Sequence, residues 1–139
     1  MNSINDKLLL IVDDNDRYAE NLRKFFTEKD FKVLRARNAL EGIRIFDEQK
    51  DFLHSCITDI TMEMQLSGFW FLSHLVRSKF TGTTVVASTG FDQPLVIPLS
   101  KRYLQRKYNV SYLIPKVPLK EGKVVFVPTR KEFSELAIF

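Results

Sequence analysis

The sequence is poor in the residues that build disulfides and zinc sites, and it has no long apolar run. Its single cysteine, Cys56, cannot form an internal disulfide, and with two distant histidines, His54 and His74, it cannot complete a zinc site. The longest apolar runs, such as residues 8–12, are far shorter than the roughly 20 residues that span a bilayer. No basic segment followed by a long apolar stretch opens the chain, so we expect no signal peptide, no membrane insertion and a cytoplasmic location.

The first two thirds of the chain carry no net positive charge, and the basic surplus lies in the last third. The net charge is +4, and residues 99–139 hold nine Lys/Arg against three Glu. No recognised nucleic-acid-reading motif accompanies this basic stretch, so we expect no nucleic-acid partner. Four of these cations are interpreted as a solvated helix face or, alternatively, as a surface for an acidic partner: Lys101, Arg102, Arg106 and Lys107.

Short apolar runs alternate with amphipathic stretches five times, and no repeat or linker interrupts them. Runs that are apolar throughout are typical of strands covered on both faces, as in parallel sheets. The alternation predicts one α/β domain, residues 1–139, with a doubly wound five-stranded parallel sheet. Strands are predicted at 8–12, 31–36, 56–59, 83–88 and 110–116, and helices at 16–29, after Asn38, and at 69–80, 98–108 and 128–138. Residues 118–128 predict an added hairpin before the last helix, because a turn sequence precedes a β-branched run.

Polar residues follow four of the predicted strands at the point where each strand ends. Asp13 and Asp14 follow the first strand, Asp59 ends the third, Thr89 follows the fourth and Lys116 ends the fifth. Ligands of open parallel sheets bind at the carboxyl ends of the strands, so we expect these side chains to converge. Clustered carboxylates resist joint ionisation unless a cation joins them, and their oxygens suit Mg²⁺. With a lysine and a hydroxyl nearby, the cluster has the groups that neutralise and bind a phosphoryl group.

Four motifs, in order and at suitable spacing, resemble the response-regulator receiver domain of two-component signalling. The resemblance covers about residues 6–139 and implies a flavodoxin-like sheet of order 2-1-3-4-5. The motifs are Leu-Ile-Val-Asp-Asp at 10–14, Thr-Asp-Ile-Thr-Met at 58–62 leading to Gly68, Val-Val-Ala-Ser-Thr-Gly at 85–90 and Tyr-Leu-Ile-Pro-Lys at 112–116.

The resemblance implies a phosphoacceptor and a metal site. Asp59 resembles the residue that accepts the phosphoryl group. Asp14 resembles the direct ligand of Mg²⁺, or of Mn²⁺ in its place, and Asp13 the ligand that acts largely through water. Asp59 is itself a metal ligand in the family, and Thr61 would offer its backbone carbonyl.

The resemblance also implies a switch and a set of partners. Thr89 resembles the hydroxyl that moves toward the phosphoryl group, and Lys116 the lysine that pairs with it. The donor would be a sensor histidine kinase or a histidine phosphotransfer protein, and the target protein is unknown. The resemblance thus implies a single-domain response regulator that turns over no external substrate and performs only its own phosphoryl transfer and autodephosphorylation.

Two loops depart from the family pattern close to the predicted site. Glu63 takes the place of the family proline, and Gly68 comes one residue late. Glu63 binds the metal, pairs with Lys116 or faces water, and the sequence leaves these three open. The residue after the lysine is Val117, and the proline comes next, so we expect a trans peptide bond where the family has a cis one.

The switch aromatic of the family is displaced in this sequence. Its position, three residues before the lysine, holds Leu113, and Tyr112 is one place off. Side chains alternate along a strand, so Tyr112 is expected on the opposite face from Leu113. Pro115 has two readings. It marks a bulge that would restore the aromatic to the switch face, or it indicates that this strand lies at the edge of the sheet. The segment from Thr89 to Lys116 is also longer than in the family, with the surplus expected at 91–98. These departures leave one alternative function, a phosphorylation-independent receiver-like module for protein interaction.

Overall fold

Strands and helices alternate through residues 7–60, 67–89 and 96–130, which are the residues that a computed structural model describes. The strands are β1 Lys7–Val12, β2 Phe31–Ala36, β3 Leu53–Asp59, β4 Thr83–Ser88, β5 Tyr112–Pro115 and β6 Val127–Pro128. The helices are α1 Asp16–Thr27, α2 Ala39–Gln49, α3 Ser67–Arg77, α4 Val96–Tyr108 and α5 Lys116–Lys120. None of the helices described is long and apolar enough to cross a membrane.

The strands form one sheet of order β2-β1-β3-β4-β5-β6. The first five are parallel, and β6 runs antiparallel to β5. The predicted doubly wound sheet of order 2-1-3-4-5 is therefore confirmed. Because every parallel strand ends at the same edge, the residues that follow β1, β3, β4 and β5 lie side by side.

Side-chain amides start the first two helices. Asn15 caps α1 by accepting a hydrogen bond from the Tyr18 backbone N–H at 3.0 Å, and Asn38 caps α2 through the Glu41 N–H at 2.8 Å. Each cap satisfies one of the backbone donors that a helix start leaves without a partner. The α1 cap also fixes the path of the chain just beyond Asp13 and Asp14.

Two apolar layers cover the sheet, one on each face. One layer joins the sheet to α2, α3 and α4, and its buried members include Leu10, Phe46, Phe71, Val86 and Leu104. The other lies under α1 and α5 and includes Leu9, Leu22, Phe26, Ile114 and Leu119. Alternate residues of β1 enter opposite layers, as expected for a strand covered on both faces.

Cys56 is a buried member of the first layer, as its apolar context predicts. Burial raises the pKa of its thiol, so the group stays protonated and acts as a small apolar side chain.

The chain after β5 differs from the predicted hairpin. Residues Lys116–Lys120 form the short helix α5, and a turn with Gly122 at φ +87° leads to β6. Tyr112 pairs with Pro128 and Leu113 with Val127, so the partner of the extra strand is β5. The predicted last helix, 128–138, falls mostly on residues 131–139, which lie outside the described residues, and Pro128 itself belongs to β6.

Candidate functional site

Three charged side chains meet at the carboxyl edge of the sheet. Asp13 follows β1, Asp59 is the last residue of β3, and Lys116 follows β5. Lys116 Nζ lies 2.7 Å from Asp59 Oδ2 and 3.0 Å from Asp13 Oδ2. The structure thus brings together three residues that the sequence predicted to converge, with β3 placed between β1 and β4.

This ion-paired group is almost completely buried. Asp13, Asp59 and Lys116 are 1%, 3% and 2% exposed. Taking charges out of water is costly, and the cost is offset only when each charge has close partners. One ammonium between two carboxylates leaves an excess of negative charge, which a further cation would balance.

The two oxygens of Asp13 have different surroundings. Oδ1 accepts a hydrogen bond from the Asn15 N–H at 2.9 Å. Oδ2 is buried and is paired with the Lys116 ammonium, whose Nζ is 3.0 Å away. Burial raises the pKa of the Asp13 carboxyl and the Asp59 charge acts in the same direction, while Lys116 opposes both.

Asp14 completes an acidic cluster at the mouth of the site. Carboxylate oxygens of Asp13, Asp14 and Asp59, one from each residue, all lie within 4.8 Å of one another. Asp14 is exposed and the other two are buried. A hard divalent cation such as Mg²⁺ fits this donor set, because all three ligands are carboxylate oxygens and the Lys116 ammonium balances only part of their negative charge.

Gly68, in the first turn of α3, lies directly against the backbone of β3. A Cβ at this position would come within 2.5 Å of Ile60 Cα and closer still to the Asp59 carbonyl oxygen. Only glycine allows α3 to start this near the predicted acceptor, a packing role that the motif itself does not reveal.

Of the other predicted site residues, the structure describes Thr89 but not Thr61 or Glu63. Thr89 directly follows β4 at the same edge of the sheet, and its side chain is exposed. Thr61 and Glu63 lie outside the described residues, so the roles predicted for them stay predictions. All peptide bonds in the described ranges are trans, which confirms the expectation for the bond between Lys116 and Val117.

Tyr112 and Leu113 point to opposite faces of β5. Leu113 joins the layer under α2, α3 and α4, and Tyr112 joins the layer under α1, with its ring 6.0 Å from that of Phe126. The β4–β5 register runs without a shift, so Pro115 makes no bulge that would restore an aromatic to the Leu113 face. The strand that contains Pro115 is not an edge strand, because β5 lies between β4 and β6. Pro115 itself pairs with Ser88 of β4, whereas the β5 residues that pair with β6 are Tyr112 and Leu113.

Two neighbours of the site were not predicted from the sequence. The Tyr18 ring on α1 lies 4.2 Å from Lys116 Nζ, a cation–π distance. Arg35 on β2 binds the backbone of Asp13. Neither belongs to a motif, and both contacts join elements whose orientation only the folded structure fixes.

Comparisons with known proteins bear on the family and the fold of the chain. The sequence profile of the response regulator receiver domain matches residues 9–109. Among solved structures, the chemotaxis protein CheY4 of Vibrio cholerae has 16% identity and a TM-score of 0.66, covering 84% of this chain and 92% of its own. The CheX–CheY–BeF3–Mg complex of Borrelia burgdorferi has 21% identity and a TM-score of 0.57, covering 66% and 67%.

A third structure is the response regulator TrrA of Thermotoga maritima in complex with Mg²⁺ and BeF, with 23% identity and a TM-score of 0.54, covering 60% of this chain and 70% of its own. A search of curated proteins found no significant match. At these identities the structures show a shared fold, and the profile shows the family. The chain therefore belongs to the response regulator receiver domain family.

Proposed function

We propose that this protein accepts a phosphoryl group on Asp59 from the phosphohistidine of a sensor kinase or a histidine phosphotransfer protein. The observation that carries the proposal is the buried group in which Lys116 contacts both Asp59 and Asp13 beside the exposed Asp14. This group supplies a nucleophile, a fixed positive charge and a cation-binding edge within one small space.

In the transfer step, a carboxylate oxygen of Asp59 attacks the phosphorus atom. The new P–O bond forms as the P–N bond to the donor imidazole breaks, and the imidazole nitrogen keeps the electron pair of that bond. Lys116 then pairs with a phosphoryl oxygen instead of the two carboxylates. A Mg²⁺ or Mn²⁺ ion held by Asp13, Asp14 and Asp59, with the Thr61 carbonyl as a further ligand, would neutralise charge on the phosphoryl group.

The new charge is proposed to act on the β4–α4–β5 side of the molecule. Thr89 follows β4, and its hydroxyl would donate to a phosphoryl oxygen. Because Tyr112 faces away from the α4 layer, movement of Thr89 would be coupled to that layer through Leu113 and its neighbours. The outcome would be a changed surface for a protein target, and not turnover of an external substrate.

Incubation with acetyl phosphate and Mg²⁺, read by intact mass, tests the proposal. We expect a Mg²⁺-dependent gain of one phosphoryl group in the parent protein, none in Asp59→Asn, and full gain in Asp51→Asn. Asp51 is a suitable control because it is an exposed aspartate in a turn away from the site. Equal labelling of Asp59→Asn and the parent would overturn the assignment. No labelling of any variant, including with a phosphohistidine donor, would instead support a phosphorylation-independent interaction module.

A further inference from the structure

Arg35, on β2, binds the chain segment that carries Asp13 and Asp14. Its Nε and Nη2 donate to the Asp13 carbonyl oxygen at 3.2 and 2.8 Å, and its Nη1 donates to Asp16 Oδ1 at 2.8 Å. The guanidinium therefore bridges the backbone at the end of β1 and the first residue of α1. Its side chain is 23% exposed, so it is partly shielded from competing water.

The carbonyl that Arg35 binds lies beyond the end of the β1–β2 pairing. The last pair in that register is Val12 with Ala36, and the Asp13 N–H donates to the Ala36 carbonyl at 3.0 Å. The Asp13 carbonyl belongs to the peptide unit that joins Asp13 to Asp14. Two donors on this oxygen fix the plane of that peptide unit, which sets the direction in which the Asp14 side chain leaves the backbone.

Asp16 keeps the guanidinium in this orientation. Its Oδ1 also accepts from Arg37 Nη1 at 2.8 Å, and the two arginines hold the pKa of Asp16 below its usual value, with the Arg35 hydrogen bond as the largest cause. In the part of the chain that the structure describes, Arg37 makes no hydrogen bond to Asp13. It therefore shares the charge of Arg35 and its contact with Asp16, without the bond to the metal-binding segment.

We propose that Arg35 is a positioning residue for the metal site, in which its bidentate hold on the Asp13 carbonyl orients the carboxylate pair of Asp13 and Asp14. The inference rests on the proposed function, because it needs a divalent cation at these residues. A positioning role and a purely electrostatic role predict opposite changes in metal affinity when Arg35 is removed. A nearby positive charge repels a cation, so a charge effect alone would make removal of Arg35 strengthen metal binding. Loss of orientation would weaken it, as loss of a residue that orients metal ligands commonly does.

Metal affinity of the full chain, measured with Mn²⁺ by electron paramagnetic resonance and with Mg²⁺ by calorimetry, separates the two roles. Arg35→Lys keeps the charge and loses the bidentate fork. Arg35→Gln loses both. Arg37→Gln is the matched control, because it loses a neighbouring charge and an ion pair with Asp16 but no bond to the Asp13 carbonyl. We expect about a 10-fold loss of affinity for both Arg35 variants and less than about a twofold change for Arg37→Gln.

Urea unfolding without metal shows whether each variant is folded under the conditions of the titration. If Arg35→Gln is unfolded, the metal affinity of Arg35→Lys relative to the parent decides whether Arg35 positions the metal ligands. Parent-like affinity in Arg35→Lys, or tighter binding in Arg35→Gln, would overturn the inference and leave the proposed function intact. A parent protein that binds neither ion would overturn both.

Discussion

At the scale of single residues, the site is a buried group of charges with an excess of negative charge. Asp13 and Asp59 share one buried ammonium, so the metal-free protein holds two carboxylates against one lysine. The sequence predicted this group because three strands end in charged residues, and strand ends of a parallel sheet share an edge. The sequence did not predict Tyr18 or Arg35, because their contacts depend on how α1 and β2 lie against β1.

Asp13→Asn should stabilise the metal-free protein at neutral pH. Burial raises the pKa of Asp13 above its ordinary value of 3.8, so the folded state holds the proton more tightly than the unfolded state. Between the pKa of Asp13 in the unfolded state and its higher pKa in the folded state, the free energy of unfolding of the parent falls as pH rises. Above the folded-state pKa this decrease is complete. The stability advantage of the asparagine variant should therefore grow with pH from about 4 and then level off.

Urea unfolding across this pH range, with a chelator present, measures the effect of Asp13→Asn. Saturating Mg²⁺ should reverse the order, because an ion that binds only the folded parent adds about 2.7 kcal/mol at 100 times its Kd. Asp14→Asn is the control, since Asp14 is exposed and its substitution should remove metal binding without removing a buried charge. An asparagine variant at position 13 that is less stable than the parent at neutral pH without metal would contradict the account.

At the scale of elements, the sequence predicted the five parallel strands and the first four helices well, and the chain after β5 poorly. Apolar runs ended by polar residues, and amphipathic stretches opened by asparagine, are strong local signals. The sequence predicts a hairpin over residues 118–128, but Pro118 lies in the first turn of α5, where the missing N–H costs nothing. Five residues carry too little periodicity to reveal so short a helix.

Gly68→Ala should disturb the start of α3 and the acceptor beside it. The added Cβ would overlap the backbone of Asp59 and Ile60, and overpacking of this kind costs about 1–3 kcal/mol. Gly122→Ala is the matched control, because Gly122 has φ +87° and nothing near its Cβ, so it should cost about 1–2 kcal/mol through the backbone alone. Denaturant unfolding and acetyl phosphate labelling compare the two. Only Gly68→Ala should slow labelling, and equal labelling rates would refute a role in shaping the site.

The segment before β6 contributes to the core through Phe126. Its ring lies 5.8 Å from Phe25, 6.0 Å from Phe26 and 6.0 Å from Tyr112, and it is 7% exposed. Phe126→Ala should lower the free energy of unfolding by about 3–5 kcal/mol. Phe52→Ala, at a position that is 73% exposed, should change it by less than about 0.5 kcal/mol. Urea denaturation of both variants gives the comparison, and similar values would mean that the segment is not part of the folded core.

At the scale of the whole molecule, the parallel sheet places the acidic cluster at one edge and basic charge on α4. Lys107 Nζ lies 5.7 Å from the ring centroids of Tyr103 and Tyr108, and α4 contains no acidic residue. The apolar runs predicted a parallel sheet, and the family resemblance implied its strand order, whereas partner surfaces leave no comparable periodic pattern.

The most direct test of the account is to locate the phosphoryl group on the chain. After acetyl phosphate treatment, borohydride reduces an acyl phosphate to an alcohol, which converts the acceptor aspartate to homoserine, and peptide sequencing by mass spectrometry then finds it. The account predicts homoserine at position 59 alone, in samples with Mg²⁺ and not in samples with chelator. Homoserine at Asp13 or Asp14, or conversion of Asp59 that is independent of Mg²⁺, would contradict it.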